Sequence, residues 1–219
     1  GAVYLTNTYD ADRRVVTWQA VAKGNQYQFA YDTETGQTTI TDPLGQASVD
    51  AHDARKFLVR QIDRLGKSAS FTYNDRGDRT GVTDKNGHTT EYSYDLRGNV
   101  TGKRDALYQA TAITYDAANN PLTRTDEAGK STSFTYDSRG NLLTTTDAVG
   151  NVTSFTYDAF GQVSTATDAR GGVLTNAYDA AGNLITLTDP LGAVTLTAYD
   201  AIGRPLTVTD PRGFVTTST

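Results

Sequence analysis

The sequence predicts an all-β protein, a continuous antiparallel β-meander built from 21-residue repeats of two strands each. Three observations carry this expectation. The dipeptide Tyr-Asp recurs at a fixed step of 21 residues, and most copies contain the pattern Asp-x-x-Gly twice. The composition is dominated by strand and turn formers, with 37 Thr and 20 Gly among 219 residues and only five Pro. Hydrophobic residues make up 37%, against about 45 to 50% in ordinary globular domains. A thick core would be hard to fill from such a chain, whereas a thin sheet is easier. A fixed period of this length is the mark of a repeat architecture.

The copies can be read in order. Tyr9-Asp10 is followed 22 residues later by Tyr31-Asp32, and every later step is 21. Degenerate copies at His52-Asp53 and Tyr73-Asn74 come next, then Tyr94-Asp95, Tyr115-Asp116, Tyr136-Asp137, Tyr157-Asp158, Tyr178-Asp179 and Tyr199-Asp200. A second aspartate falls eleven residues after the tyrosine position, at Asp42, Asp63, Asp84, Asp105, Asp126, Asp147, Asp168, Asp189 and Asp210, and Thr precedes seven of these nine. Three residues further on stand Gly45, Gly66, Gly87, Gly129, Gly150, Gly171, Gly192 and Gly213, with Tyr108 in the remaining copy. After the Tyr-Asp pair itself the turn glycines are Gly98, Gly140, Gly161, Gly182 and Gly203.

Each Asp-x-x-Gly has a backbone meaning. Aspartate at the first position of a type I turn accepts hydrogen bonds from the turn's own amides, and glycine after the two helical-region residues takes the left-handed conformation that closes the hairpin through a bulge. Between turns lie stretches of about six residues, such as 141–146 and 152–157, rich in Thr, Val, Leu, Phe and Tyr. These are strands. The expected organisation is a degenerate first repeat over 1–30 and nine tandem repeats over 31–219. The segment 51–65 carries Phe57, Leu58, Ile62 and Leu65 at near-helical spacing and has Lys56 where the turn glycine belongs. Because Asp53, Asp63 and Gly66 keep the register, it is expected to be a degenerate strand pair.

The run Tyr136-Asp137-Ser138-Arg139-Gly140-Asn141-Leu142, followed by Thr146-Asp147, resembles the YD repeat of RHS-repeat proteins. That group includes bacterial polymorphic toxins, insecticidal toxin-complex subunits and the teneurins, and the resemblance covers nearly the whole chain. It implies that the sheet curls into part of a spiral RHS-type β-shell, of the kind that encloses or presents a toxic C-terminal polypeptide. It also implies a secreted or cell-surface bacterial protein whose partners are the remainder of its own shell and an encapsulated toxin domain. The family's core region carries a self-cleaving site, and Asp42-Pro43-Leu44-Gly45, Asp189-Pro190-Leu191-Gly192 and Asp210-Pro211-Arg212-Gly213 superficially resemble its Asp-Pro-x-Gly element. All three occupy the ordinary second-turn position, where proline presets the turn, so they are assigned to structure. The alternative implied function is a cell-surface binding module for carbohydrate or protein adhesion.

No chemistry is expected of the chain itself. There is no Cys, which excludes disulfide frameworks, zinc-thiolate sites and thiol nucleophiles. With 25 Asp+Glu against 20 Lys+Arg, and the basic residues scattered singly, there is no footprint for a phosphate backbone. Apolar stretches run for only a few residues, too short for a membrane helix. The paired carboxylates recur in every copy with the same neighbours, as structural groups do, whereas a catalytic pair occurs once per site. Aspartate-rich repeats also raise calcium, but the nine-residue period of calcium-binding β-rolls is missing. His52 and His88 lie 36 residues apart in turn-like positions without a Cys or Ser partner. No catalytic, cofactor-binding or metal-ligating residue is therefore assigned.

The aromatic pairs Phe71-x-Tyr73, Tyr92-x-Tyr94, Phe134-x-Tyr136 and Phe155-x-Tyr157 place two rings on one strand face. Stacked from repeat to repeat they would form a ladder of rings, serving as packing between hairpins or, in the alternative, as platforms for glycans. Strand arithmetic bounds the size. About twenty strands at roughly 4.8 Å spacing give a strip of about 95 Å, which closes into a ring only about 30 Å across. The expectation is an open curved sheet, or one that packs edge to edge with another copy, holding no cargo of its own. The lack of an initiator Met before Gly1-Ala2, and the end at Thr219 one residue before the next expected Tyr, fit a piece of a longer array.

Overall fold

The structure, a computed structural model, describes residues 5–12, 14–20 and 25–218. Among these residues there are 21 strands and no helix. They fall into two compact units, 1–110 and 111–219.

The first unit carries β1 (Leu5–Tyr9), β2 (Val15–Ala20), β3 (Asn25–Asp32), β4 (Gln37–Thr41), β5 (Ala47–His52), β6 (Leu58–Ile62), β7 (Ser68–Tyr73), β8 (Arg79–Thr83), β9 (Thr89–Tyr94) and β10 (Val100–Arg104). The second carries β11 (Ala110–Tyr115), β12 (Pro121–Thr125), β13 (Ser131–Tyr136), β14 (Leu142–Thr146), β15 (Val152–Tyr157), β16 (Val163–Thr167), β17 (Val173–Tyr178), β18 (Leu184–Thr188), β19 (Val194–Tyr199), β20 (Pro205–Thr209) and β21 (Val215–Thr217). Within each unit every strand pairs antiparallel with its neighbour in sequence. The segment 51–65 is a strand, a turn and a strand, as its register implies. The expected degenerate repeat over 1–30 lies partly outside the described residues.

The period follows from the local geometry. Six residues of strand, five of turn, five of strand and five of turn make one repeat, as in β13, residues 137–141, β14 and residues 147–151. In the three-residue turns the N–H of the first residue, Asp or at one turn Asn74, donates to the carbonyl four residues on, and the residue at the glycine position donates to the carbonyl of the first. For Asp137 these bonds are 2.9 Å to Asn141 and 3.1 Å from Gly140. This is the three-residue hairpin loop, a type I turn closed by a left-handed residue. Gly140 and Gly161 have φ of 87° and 85°. Where the sequence lacks the glycine, the substitutes take the same strained backbone: Lys56 has φ 72°, Tyr108 62° and Asn119 68°.

Next to each Tyr-Asp turn the ladder skips one residue. Tyr136 pairs with Leu142 and Thr135 with Thr144, so Leu143 is the extra residue of a β-bulge. The same shift occurs at Tyr9, His52, Tyr73, Tyr94, Tyr115, Tyr157, Tyr178 and Tyr199. The hairpin after Tyr31 is different. Its loop is one residue longer, Asp32 pairing with Gln37, and its ladder has no bulge. One residue gained in the loop cancels one lost from the strand, which keeps the 21-residue step.

No hydrophobic side chain is buried among the described residues. Each unit is a sheet one layer thick; β11, β13, β17 and β19 alternate between a more covered and a more open face, whereas β14, β16 and β18 are half-buried throughout. In β13, Thr132, Phe134 and Tyr136 are half-buried while Ser131, Ser133 and Thr135 are exposed. Hydroxyl pairs bridge strands on the open face, such as Thr135 with Thr144 at 2.6 Å and Thr156 with Thr165 at 2.6 Å.

These turns predict a graded mutational response. A β-branched side chain at positive φ is strongly disfavoured, so Gly140→Val and Gly161→Val each cost about 1 to 3 kcal/mol. Thr156→Val, which loses one exposed hydroxyl pair, costs less than about 1 kcal/mol. Lys56→Gly relieves left-handed strain and stabilises by about 0.5 to 1 kcal/mol. Urea midpoints at constant slope check all four.

Candidate functional site

The meander brings the repeat signature to two edges. Turns that follow Tyr-Asp, here YD turns, lie at one end of the strands in each unit. Turns at the second aspartate, here TD turns, lie at the other. Each signature aspartate sits at the first position of its turn, and its Oδ1 accepts the N–H groups two and four residues on, except in the longer loop at Asp32, where they come from Glu34 and Thr35. At Asp137 these come from Arg139 and Asn141, at 2.8 and 2.9 Å, and at Asp147 from Val149 and Asn151, both at 2.9 Å. Oδ2 is left for a side chain. Asn99, Asn141 and Asn183 donate to it in YD turns, and Asn151 does so in a TD turn.

These bonds hold the charged form of the carboxyl. The Asn99 amide and the turn N–H groups bring Asp95 down to about 2 from an ordinary 3.8. The Asn amide is also the leading cause of the lowered values at Asp137, Asp147 and Asp179. At Asp84, Asp168, Asp200 and Asp210 the leading cause is the turn N–H four residues on, and at Asp63 it is the Lys85 ammonium. A carboxylate that bonds its own turn in this way is occupied rather than poised for proton transfer. Burial, then the Asp116 charge, raises Tyr136.

The signature tyrosine joins one repeat to the next. Between β14 and β15 the ladder pairs only Thr144, Thr145 and Thr146 with Ser154, Thr153 and Val152. At the other end of these strands the Tyr157 hydroxyl donates to the Leu142 carbonyl at 2.8 Å. Tyr73, Tyr94, Tyr178 and Tyr199 make the same bond to Leu58, Arg79, Val163 and Leu184, each 15 residues earlier and each the first residue of the bulged strand. Among the described residues one stacked ring pair is found, Phe57 against Tyr73 at 4.9 Å. The aromatic face is therefore linked from repeat to repeat by hydroxyl-to-carbonyl bonds more than by the ring ladder expected from spacing.

Arginines add a second link along the YD edge. Arg55 donates to the Asn74 carbonyl at 2.8 Å, Arg76 to that of Asp95 at 2.6 Å and Arg139 to that of Ala159 at 3.0 Å. Each reaches from one turn to the next. Between the turns at Asp137 and Asp158 lies a groove of about 450 Å³ lined by Arg139, Asn141, Leu143, Phe155 and Tyr157.

The remaining candidates do not converge. Among the described residues no group of three His, Asp or Glu side chains could hold a metal ion. His52 ends β5 rather than lying in a turn, and His88 contacts Asp84 at 3.2 Å. The three Asp-Pro-x-Gly segments are ordinary TD turns, with Gly45, Gly192 and Gly213 each 2.9 Å from the aspartate carbonyl. Two features escaped sequence reasoning although they had a signal. Asn119 stands where its register calls for glycine, and asparagine is among the few residues that tolerate left-handed backbone. The tyrosine bond was implicit in a hydroxyl recurring at one place on the covered face, since a buried phenol needs a partner.

A family model described as Teneurin YD-shell matches residues 51–211. The chain belongs to the teneurin YD-shell family. Solved structures share its fold. The crystal structure of TcdB2-TccC3-TEV is 17% identical with a TM-score of 0.55, over 97% of this chain and 15% of that one. TcdB2-TccC3 without its hypervariable C-terminal region is 17% identical with a TM-score of 0.55, over 98% and 16%. The Tc holotoxin pore of Photorhabdus luminescens is 15% identical with a TM-score of 0.51, over 96% and 17%. At these identities the likeness is one of fold, and the YD-shell chain spans between 15% and 17% of the length of these structures. No curated protein sequence matches it. The chain is a structural shell module of the YD-repeat kind.

The turn carboxylates give the module an acid limit. Where they are lowered, as at Asp63, Asp84, Asp95, Asp137, Asp147, Asp168, Asp179, Asp200 and Asp210, the folded pKa lies below the unfolded one, so their contribution is fully present above the unfolded value near 3.8 and is lost as pH falls through the folded values, about 2 at Asp95. Stability against urea should be flat from neutral pH to about pH 4 and fall steeply between about pH 4 and pH 2. A midpoint unchanged at pH 2 would contradict the assignment of these carboxylates.

Proposed function

We propose that this chain is a non-catalytic length of β-shell wall in a secreted bacterial protein, continuous with the rest of its own shell, and that the whole shell encloses or presents a C-terminal toxin domain. The observation that carries the reading is the single-layer sheet of each unit, in which no hydrophobic side chain among the described residues is buried. Such a sheet separates two spaces instead of packing around a core. The residues 31–219 act in it as nine equivalent wall segments, with 1–30 as a drifted first one. The TcdB2-TccC3 structures share this fold, which supports a toxin-complex setting.

Glycan adhesion is the second reading, and the groove over Phe155 and Tyr157 favours it. Its polar groups are largely engaged, however: Asp137 with Asn141, the Tyr157 hydroxyl with Leu142 and Arg139 with Ala159. A wall needs these bonds, whereas a sugar site would need them free.

Protease protection tests the proposal in the full-length protein. The C-terminal segment should resist proteinase K in the native protein and become digestible when Gly140→Val and Gly161→Val together open the wall. Equal digestion in both would contradict enclosure.

A further inference from the structure

A tight turn of this type needs Asp first and a left-handed residue fourth, and it asks nothing of the third position. The residue found there therefore reports another demand. In the first unit the TD turns carry Leu44, Leu65, Asn86 and Leu107 at that place, with Tyr108 beside Leu107. The four apolar side chains are 79%, 79%, 76% and 77% exposed, in chain order. YD turns of the same unit carry Arg55, Arg76 and Arg97 there, paired with Asp53, Asp78 and Asp95. The YD edge is mostly charged and internally bonded, with Leu96 at 95% exposure as its one large apolar tip. The TD edge carries the four apolar tips, beside Arg64 and Lys85, which pair with Asp42 and Asp63.

The order along the apolar edge is symmetric for one turn on either side of Asp84–Gly87. The polar turn Asp84–Gly87, with Lys85 and Asn86 at its tip, has Leu65 at 21 residues on one side of Asn86 and Leu107 at 21 on the other. A two-fold axis through that turn sets Leu65 of one copy against Leu107 and Tyr108 of the second, and the reverse, as an isologous interface requires. Lys85 near the axis is paired with Asp63 at 2.9 Å, which offsets its charge there. We propose that this chain self-associates as a two-fold dimer through the TD-turn edge of its first unit. The gain is burial of the leucine tips. Pairing by the YD edge would instead disturb the arginine bonds already made. The corresponding turn between Val149 and Leu191 in the second unit is centred on Arg170, where two guanidinium groups would meet on the axis. The inference is independent of the enclosure reading.

Sedimentation equilibrium of the full chain tests it. The interface is small, so association should appear as a weight-average mass rising toward the dimer between roughly 10 μM and 1 mM. The triple variant Leu44→Ser, Leu65→Ser, Leu107→Ser should stay monomeric over that range with an unchanged circular dichroism spectrum. Because the chain has no Cys, proximity can be read from single thiols. Asn86→Cys should give a disulfide-linked dimer with oxidised glutathione as the oxidant, while Ala54→Cys on a YD turn should not. A monomer mass at every concentration would overturn the proposal. So would a triple variant that dimerises as before, or cross-linking equal at the two positions.

Discussion

A sheet one layer thick has no second layer to reward one strand register over another, so register must be fixed where the chain reverses. In this protein the aspartate carboxylate performs that task. One oxygen takes two backbone N–H groups of its own turn, and in many turns the other takes a side chain, Asn or Arg. Together these bonds leave the fourth residue little choice but a left-handed backbone. Glycine takes that conformation without penalty, and Lys56, Tyr108 and Asn119 take it under strain. That three non-glycine residues are held there shows how firmly the rest of the turn dictates the backbone.

Local turns alone would give a string of separate hairpins. Two-stranded hairpins are marginal in water by themselves, so neighbouring repeats have to be coupled. The ladder between hairpins covers only the end near the TD turn, because the bulge beside the YD turn shifts the strand there. The tyrosine hydroxyl closes the other end by reaching the carbonyl at the start of the preceding bulged strand. Arginines of successive YD turns add a second tie. Coupling of this nearest-neighbour kind makes stability a sum over repeats and their junctions. It also leaves both faces of the sheet available, which is what a wall requires.

Much of this was legible in the sequence, for physical reasons that differ from place to place. The 21-residue step and the Asp-x-x-Gly turns were readable because turn chemistry is local, and segment 51–65 was placed correctly because register outweighed its helical spacing. The loop after Tyr31 was not readable, since one extra loop residue and one missing bulge residue cancel and leave the step intact. The ring ladder was a fair inference from period-two alternation. The bulge and the reach of the phenol nevertheless turned the contact into a hydrogen bond, and no spacing rule specifies where a hydroxyl will find its acceptor. The unlike character of the two edges lay in plain view at the third turn position, but it acquires meaning only once antiparallel pairing sorts the turns into two rows.

The central claim is that repeats are coupled through the tyrosine hydroxyl, and native-state hydrogen exchange in Tyr157→Phe tests it most directly. Removing the hydroxyl leaves the Leu142 carbonyl without its donor and should cost about 1 kcal/mol. The account predicts faster exchange in both β14 and β15, the two strands that the bond joins, while the turns at Asp137 and Asp158 keep their protection. Exchange unchanged from the native protein, or a loss confined to the hairpin of Tyr157 itself, would contradict it.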